Sequence, residues 1–121
     1  MEQITNDIWG PPADRRRDHM LVAYITALVA LFTDQPAREI AAPGRTGMLA
    51  AHGRNLAIYL SHVALSWPLS RVATNFGRDR TTVSRAVHAV EDLRDDPAFD
   101  ARLTEMEAAV RMAPRPMAPR P

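Results

Sequence analysis

The stretch Leu69-Ser-Arg-Val-Ala-Thr-Asn-Phe-Gly-Arg-Asp-Arg-Thr-Thr-Val-Ser-Arg-Ala-Val-His88 decides the fold. Leu69, Val72, Ala73 and Phe76 recur at three-to-four spacing and mark the apolar face of a short helix. Gly77 supplies a tight turn, and Asp79 or Arg80 opens a second helix reaching about Arg94, with Val83, Ala86, Val87 and Val90 inward. A short helix, a glycine turn and a helix whose first turn holds small polar and arginine residues form a helix-turn-helix pattern. In that arrangement the second helix enters the major groove of DNA, N-terminal residues foremost.

Working outward, Ser66-Trp67-Pro68 ends one helix and starts the next, because proline is tolerated only in a first turn. Upstream, a long helix spans about Met48 to Leu65, with Leu49, Leu56, Leu60 and Val63 expected to face inward. Pro36, Pro43, Gly44 and Gly47 mark Thr33 to Gly47 as a loop with a short helical turn at Ala37 to Ala42. Before it, Asp18 is placed as the cap of a helix to about Phe32, with Leu21, Ile25, Leu28 and Phe32 as its stripe. Downstream, Asp96-Pro97 is a cap followed by proline at the first helical position, starting a last helix to about Val110 with Phe99, Leu103, Met106 and Val110 buried. No strand pattern occurs. The expected fold is all-α, a compact domain of about five helices over residues 18–111. Residues 1–17 read as a flexible arm, and the repeat Met112-Ala-Pro-Arg-Pro, Met117-Ala-Pro-Arg-Pro reads as an extended tail.

Composition narrows the function. The 121 residues contain no cysteine, which excludes disulfides, thiolate metal sites and thiol nucleophiles. The apolar run Met20 to Phe32 is shorter than the roughly 20 residues a membrane span needs. The N-terminus carries Glu2, Asp7, Asp14 and Asp18 rather than the basic n-region of a signal peptide, so the expectation is a cytoplasmic, nucleoid-associated protein. Net charge is only +1, but its distribution is uneven: residues 38–85 hold seven arginines against two acids, and residues 91–107 hold seven acids against two arginines. One basic face and one phosphate-avoiding face follow. All 15 basic residues are arginine, whose planar fork suits phosphates and guanines.

Within the helix-turn-helix, arginine can fork onto guanine, aspartate can accept from cytosine, and threonine can offer a methyl to thymine or a hydroxyl to a base. The candidate DNA-contact residues are therefore Asp79, Arg80, Thr81, Thr82, Ser84 and Arg85, Arg85 on phosphate. Asp79 equally reads as a simple helix cap, and Thr81 and Thr82 as first-turn filler. His19, His52, His62 and His88 form no ligand set, since only His52 and His62 share a helix, ten residues apart; neither metal nor cofactor is expected. The acids from Glu91 to Asp100 read as a solvated face. No activated nucleophile or phosphate-binding glycine loop exists, which argues against an enzyme.

These residues resemble a known family. Gly77-Arg-Asp-Arg-Thr-Thr-Val83 is similar to the Gly-Gly-Arg-Asp-His-Thr-Thr-Val signature of the C-terminal DNA-binding domain of the bacterial replication initiator DnaA. Arg54-Asn-Leu-Ala-Ile-Tyr-Leu60 resembles the same domain's Arg-Gln-(Ile/Met)-Ala-Met-Tyr-Leu helix, and the likeness covers roughly residues 20–110. It implies a double readout. Asp79, Arg80, Thr81 and Thr82 would read the major groove, and a basic loop would place Arg45 in the adjacent minor groove. Arg54, Arg78 and Arg85 match positions expected at phosphates or the turn. Two departures stand out: one glycine of the pair is missing, and Arg80 replaces histidine, which shifts the expected base preference. The initiator's ATPase motif is absent.

Stand-alone relatives with a Phe-Gly-Arg-Asp-Arg-Thr-Thr-Val core act as regulators, and one group activates gene transfer agent clusters. The resemblance therefore implies a transcription regulator bound to double-stranded DNA as a monomer or weak dimer, with a second regulatory protein supplying the contact to RNA polymerase. Two alternatives stand beside it. One is a replication modulator competing for initiator boxes; the other is an interaction module that no longer binds DNA.

Overall fold

The computed structural model describes residues 14–44 and 47–114. Six α-helices run through them: α1 (Arg15–Thr33), α2 (Ala37–Ala41), α3 (Met48–Val63), α4 (Leu69–Phe76), α5 (Arg80–Leu93) and α6 (Pro97–Arg111). No strand occurs among the described residues, and no helix there is long and apolar enough to cross a membrane. The all-α expectation holds.

α3 is the central helix. It buries Leu56, Ala57, Ile58, Tyr59 and Leu60 and packs against all five others. The close approach of α2 depends on Gly53, where an added Cβ would stand 3.0 Å from Ile40 Cγ1. Leu49 departs from its expected inward position and is 63% exposed, beside Met48 at 87%. In this first turn the covered face is the one carrying Ala50 and Gly53, so the apolar stripe starts one turn later than the sequence period suggests.

The start of α1 also departs from expectation. Its cap is Asp14, whose carboxylate accepts from the backbone N–H groups of Arg16 and Arg17 at 3.0 and 3.2 Å. Asp18 lies one turn inside, only 2% exposed. It cannot cap because its carboxylate is already engaged: Arg71 donates to it through two nitrogens at 3.0 and 2.7 Å, and Asn75 at 2.9 Å. The Arg71 guanidinium also lies over the Trp67 ring, 4.5 Å from its centroid. Burial alone would raise the Asp18 carboxyl, but the Arg71 and Asn75 hydrogen bonds and the Arg71 and Arg17 charges outweigh it and hold its pKa below the usual value. This network ties α1 to the first helix of the helix-turn-helix.

α5 is anchored at its far end by a second network. Arg94 donates to Asp100, to the Tyr59 hydroxyl at 2.9 Å, to Glu107 at 2.7 Å and to the Thr104 hydroxyl at 3.2 Å. The Asp100 hydrogen bond raises the Arg94 pKa, burial opposes it, and the Tyr59 and Glu107 bonds add to the rise. Within the acidic run Glu91 to Asp100, Glu91, Asp92, Asp95 and Asp96 are exposed as expected and Asp100 is half-buried against Arg94; Glu107, beyond that run, is 7% exposed. Asp96 caps α6 by accepting from the Ala98 N–H at 3.0 Å, with Pro97 in the first turn as expected.

A candidate nucleic-acid interface

The helix-turn-helix is built by two opposed caps. α4 ends at Gly77, whose φ of 63° lies in the left-handed region that favours glycine. The N–H groups of Gly77 and Arg78 both return to the Ala73 carbonyl, the Arg78 bond being 3.1 Å. That pattern closes a helix and reverses the chain at once. Two residues later Asp79 opens α5 by accepting from the Thr82 N–H at 2.7 Å. Val72, Val83, Val87 and Val90 lock the two helices into the core. A single interior glycine suffices for this turn.

The caps leave one surface of α5 open. Asp79, Arg80, Thr81, Thr82 and Arg85 are exposed, and Ser84 is half-buried. These residues therefore sit together at the N-terminal end of a 14-residue helix, where the free N–H groups and the helix dipole favour anions. Asp79 works against that preference, and it stays ionised. The Thr82 N–H, then the Thr82 hydroxyl, hold its carboxyl below the usual range, with desolvation opposing them and the Arg85 charge assisting. The bland reading of Asp79 as a cap is realised in the geometry. The same carboxylate remains exposed and able to accept from a ligand.

The remaining arginines divide. Arg78 is half-buried and donates to the Ala42 carbonyl at 3.4 Å. Arg54, expected at a phosphate or the turn, is only 9% exposed. It donates to the carbonyls of Ile40 and Ala42, each at 3.1 Å, and to that of Glu39 at 3.5 Å. The end of α2 offers free carbonyls in its last turn, and Arg54 satisfies them from α3. Burial, and then the charge of the nearby Arg78, lower the Arg54 pKa. Both arginines thus converge on Ala42, where the loop begins that carries Arg45. Arg45 itself lies outside the described residues, as do residues 1–13 and 115–121.

No family model matches the chain. Over 95 residues, 77% of its length, the chain is 34% identical to the chromosomal replication initiator protein DnaA of Mycobacteroides abscessus. The likeness to DnaA thus extends over most of the chain. It spans 19% of the length of that DnaA, so the DnaA-like part corresponds to about a fifth of the initiator.

One exposed residue of α5 escaped the sequence reading. His88 is exposed on α5, and its Nδ1–H donates to the Ser84 carbonyl at 2.8 Å, because a carbonyl can only accept. That bond fixes the ring and leaves Nε2 available to solvent or a ligand. Thr81, Ser84, Arg85 and His88 stand at three-to-four spacing, so the periodicity that found Val83, Val87 and Val90 would have found the opposite stripe too. Among the described residues no group of three or more metal-type ligands assembles.

Proposed function

We propose that this chain is a sequence-specific double-stranded DNA-binding regulator of transcription, using the DnaA-like domain as its reading head. The observation that carries the proposal is the open N-terminal turn of α5, where Arg80, Thr81 and Thr82 project beyond two rigid caps. The similarity to DnaA supports DNA as the partner. In this reading Arg80 forks onto a guanine, Thr81 and Thr82 meet base edges, and Asp79 accepts from a cytosine amino group. Arg85 and Ser84 hold phosphates one turn further along. Arg45 enters the adjacent minor groove, and Arg78 braces the turn. Arg54 acts on the interface indirectly, by holding the end of α2 from which the loop departs.

The finer reading is an activator of a phage-like gene transfer agent cluster, binding as a monomer or weak dimer and leaving the RNA polymerase contact to a second protein. The role of the DnaA relative, chromosomal replication initiation, favours one rival: a modulator competing for initiator boxes.

The test is genome-wide chromatin immunoprecipitation of the tagged chain beside its Arg80→Ala variant, with sites from in-vitro selection measured by anisotropy. Discrete promoter peaks lost in the variant are expected, and a dominant origin peak would favour the rival. In vitro, Arg80→Ala should reduce the ratio of selected-site to random-DNA affinity by roughly 5- to 150-fold, the equivalent of ~1–3 kcal/mol for one forked base contact. Equal weakening on every sequence would remove Arg80 from the base-reading role.

A further inference from the structure

Away from α5, a hollow of about 320 Å³ opens between the start of α1, the segment after α3 and the end of α6. Arg17, Leu21, Leu65, Val110, Arg111 and Pro114 line it, and among the described residues none of α4, α5 or the segment between α2 and α3 does. Among the described residues neither the Arg17 nor the Arg111 side chain makes a hydrogen bond or ion pair. Arg17 Nε is buried without a hydrogen-bond partner. A buried donor left unmade is costly, more so on a charged group, and native folds contain few of them. Asp18 feels the Arg17 charge, but its oxygens are bonded to Arg71 and Asn75 instead.

The position of Arg17 sharpens the point. It follows Arg15 and Arg16 in the first turn of α1, the positive end of the helix dipole, where a cation is disfavoured. A local rule broken in this way is characteristic of sites where an interaction outside the local structure compensates. Bare phosphate would meet the two guanidinium groups but leave the half-buried Leu21 and Leu65 and the exposed Pro114 without an apolar partner. A carboxylate next to an apolar side chain satisfies both halves of the hollow.

We propose that this hollow is a docking site for an acidic–apolar peptide segment of a partner protein, with the carboxylate held by Arg17 and Arg111 and the apolar side chain set between Leu21, Leu65, Val110 and Pro114. It lies apart from the proposed DNA-reading surface, so both partners fit at once, and it stands whether or not the chain binds DNA.

Methyl- and amide-detected NMR titration of the full chain tests it with three probes: N-acetyl-leucine, N-acetyl-leucinamide and inorganic phosphate. Saturable shifts at Leu21, Leu65 and Val110 are expected with N-acetyl-leucine, at a Kd of millimolar order for so small a fragment. The amide, which lacks the carboxylate, should bind about tenfold or more weakly. The Arg17→Gln/Arg111→Gln double variant should lose the response while the α5 signals stay in place. The acid–amide comparison on the native chain holds even if that variant folds poorly. Equal binding of acid and amide would overturn the proposal by leaving only an apolar hollow. Stronger saturable binding of phosphate would overturn it in favour of a nucleic-acid backbone site, and absence of any saturable shift would remove the site.

Discussion

Replacing Arg54 by methionine separates an internal brace from a phosphate contact. Methionine keeps most of the stem volume and removes every donor. The loss falls on the carbonyls of Ile40 and Ala42 at 3.1 Å and, more weakly, on Glu39 at 3.5 Å. Hydrogen bonds to a charged group contribute ~1.5–3 kcal/mol each, and the bonds share one guanidinium, so they will not add fully. A destabilisation of about 3 kcal/mol is expected. For a domain of this size that corresponds to a fall in Tm of roughly 10–25 °C, readable by circular dichroism.

The second readout is the salt dependence of binding to a selected DNA site. The slope of log K against log salt should be unchanged in Arg54→Met at a temperature where the variant is folded, because no phosphate contact is removed. If the melting temperature held and the slope instead flattened by about 0.9, Arg54 would be a phosphate ligand and the brace would be wrong.

Other expectations follow from the same geometry. Arg85→Ala should weaken selected and random DNA alike and flatten the salt slope by about 0.9; an unchanged slope would take Arg85 off the backbone. Gly77→Ala adds a Cβ that meets no atom within 4 Å, so only its φ of 63° matters; denaturant melts should show a loss of ~1–2 kcal/mol. Asn at the same position should cost less, since it tolerates the left-handed region. Asp18→Asn should destabilise the chain by about 3 kcal/mol at neutral pH, by leaving Arg71 part-buried without its anion. The native Asp18 carboxyl has its pKa depressed by folding, so its contribution is present above an unfolded-state value near 4 and is lost as pH falls through the folded value. The native chain should therefore lose more stability than Asp18→Asn across that acid range, and parallel curves would dissociate Asp18 from the effect.

What could be read from the sequence was local. Gly77, Asp79, Asp96 and Pro97 announce their turns and caps within four residues of chain, and Val83, Val87 and Val90 announce a buried face by period alone. What could not be read was set by distant partners. Asp18 looks like a cap until Arg71, 53 residues on, occupies its oxygens. Arg54 looks like a phosphate or turn contact until α2 folds over it, and Glu107 looks like one more acid of the charged run until Arg94 reaches it. A charged residue in a helix has the same local signature whether its partner is water or a buried ion. Only the packing of α1, α3 and α5 distinguishes the two.

The Ala42 carbonyl accepts from both Arg54 and Arg78, one on the central helix and one in the helix-turn-helix. A carbonyl oxygen has two lone pairs, so this acceptor is fully occupied. The departure point of the Arg45 loop and the pitch of α5 are consequently not independent variables. Transplanting Arg78 together with α5, but without the Ala42 segment, would strand the Arg78 donor and free part of the Ala42 carbonyl. A change of target sequence would then have to be engineered, or evolved, as a unit comprising the loop, Arg54 and the turn.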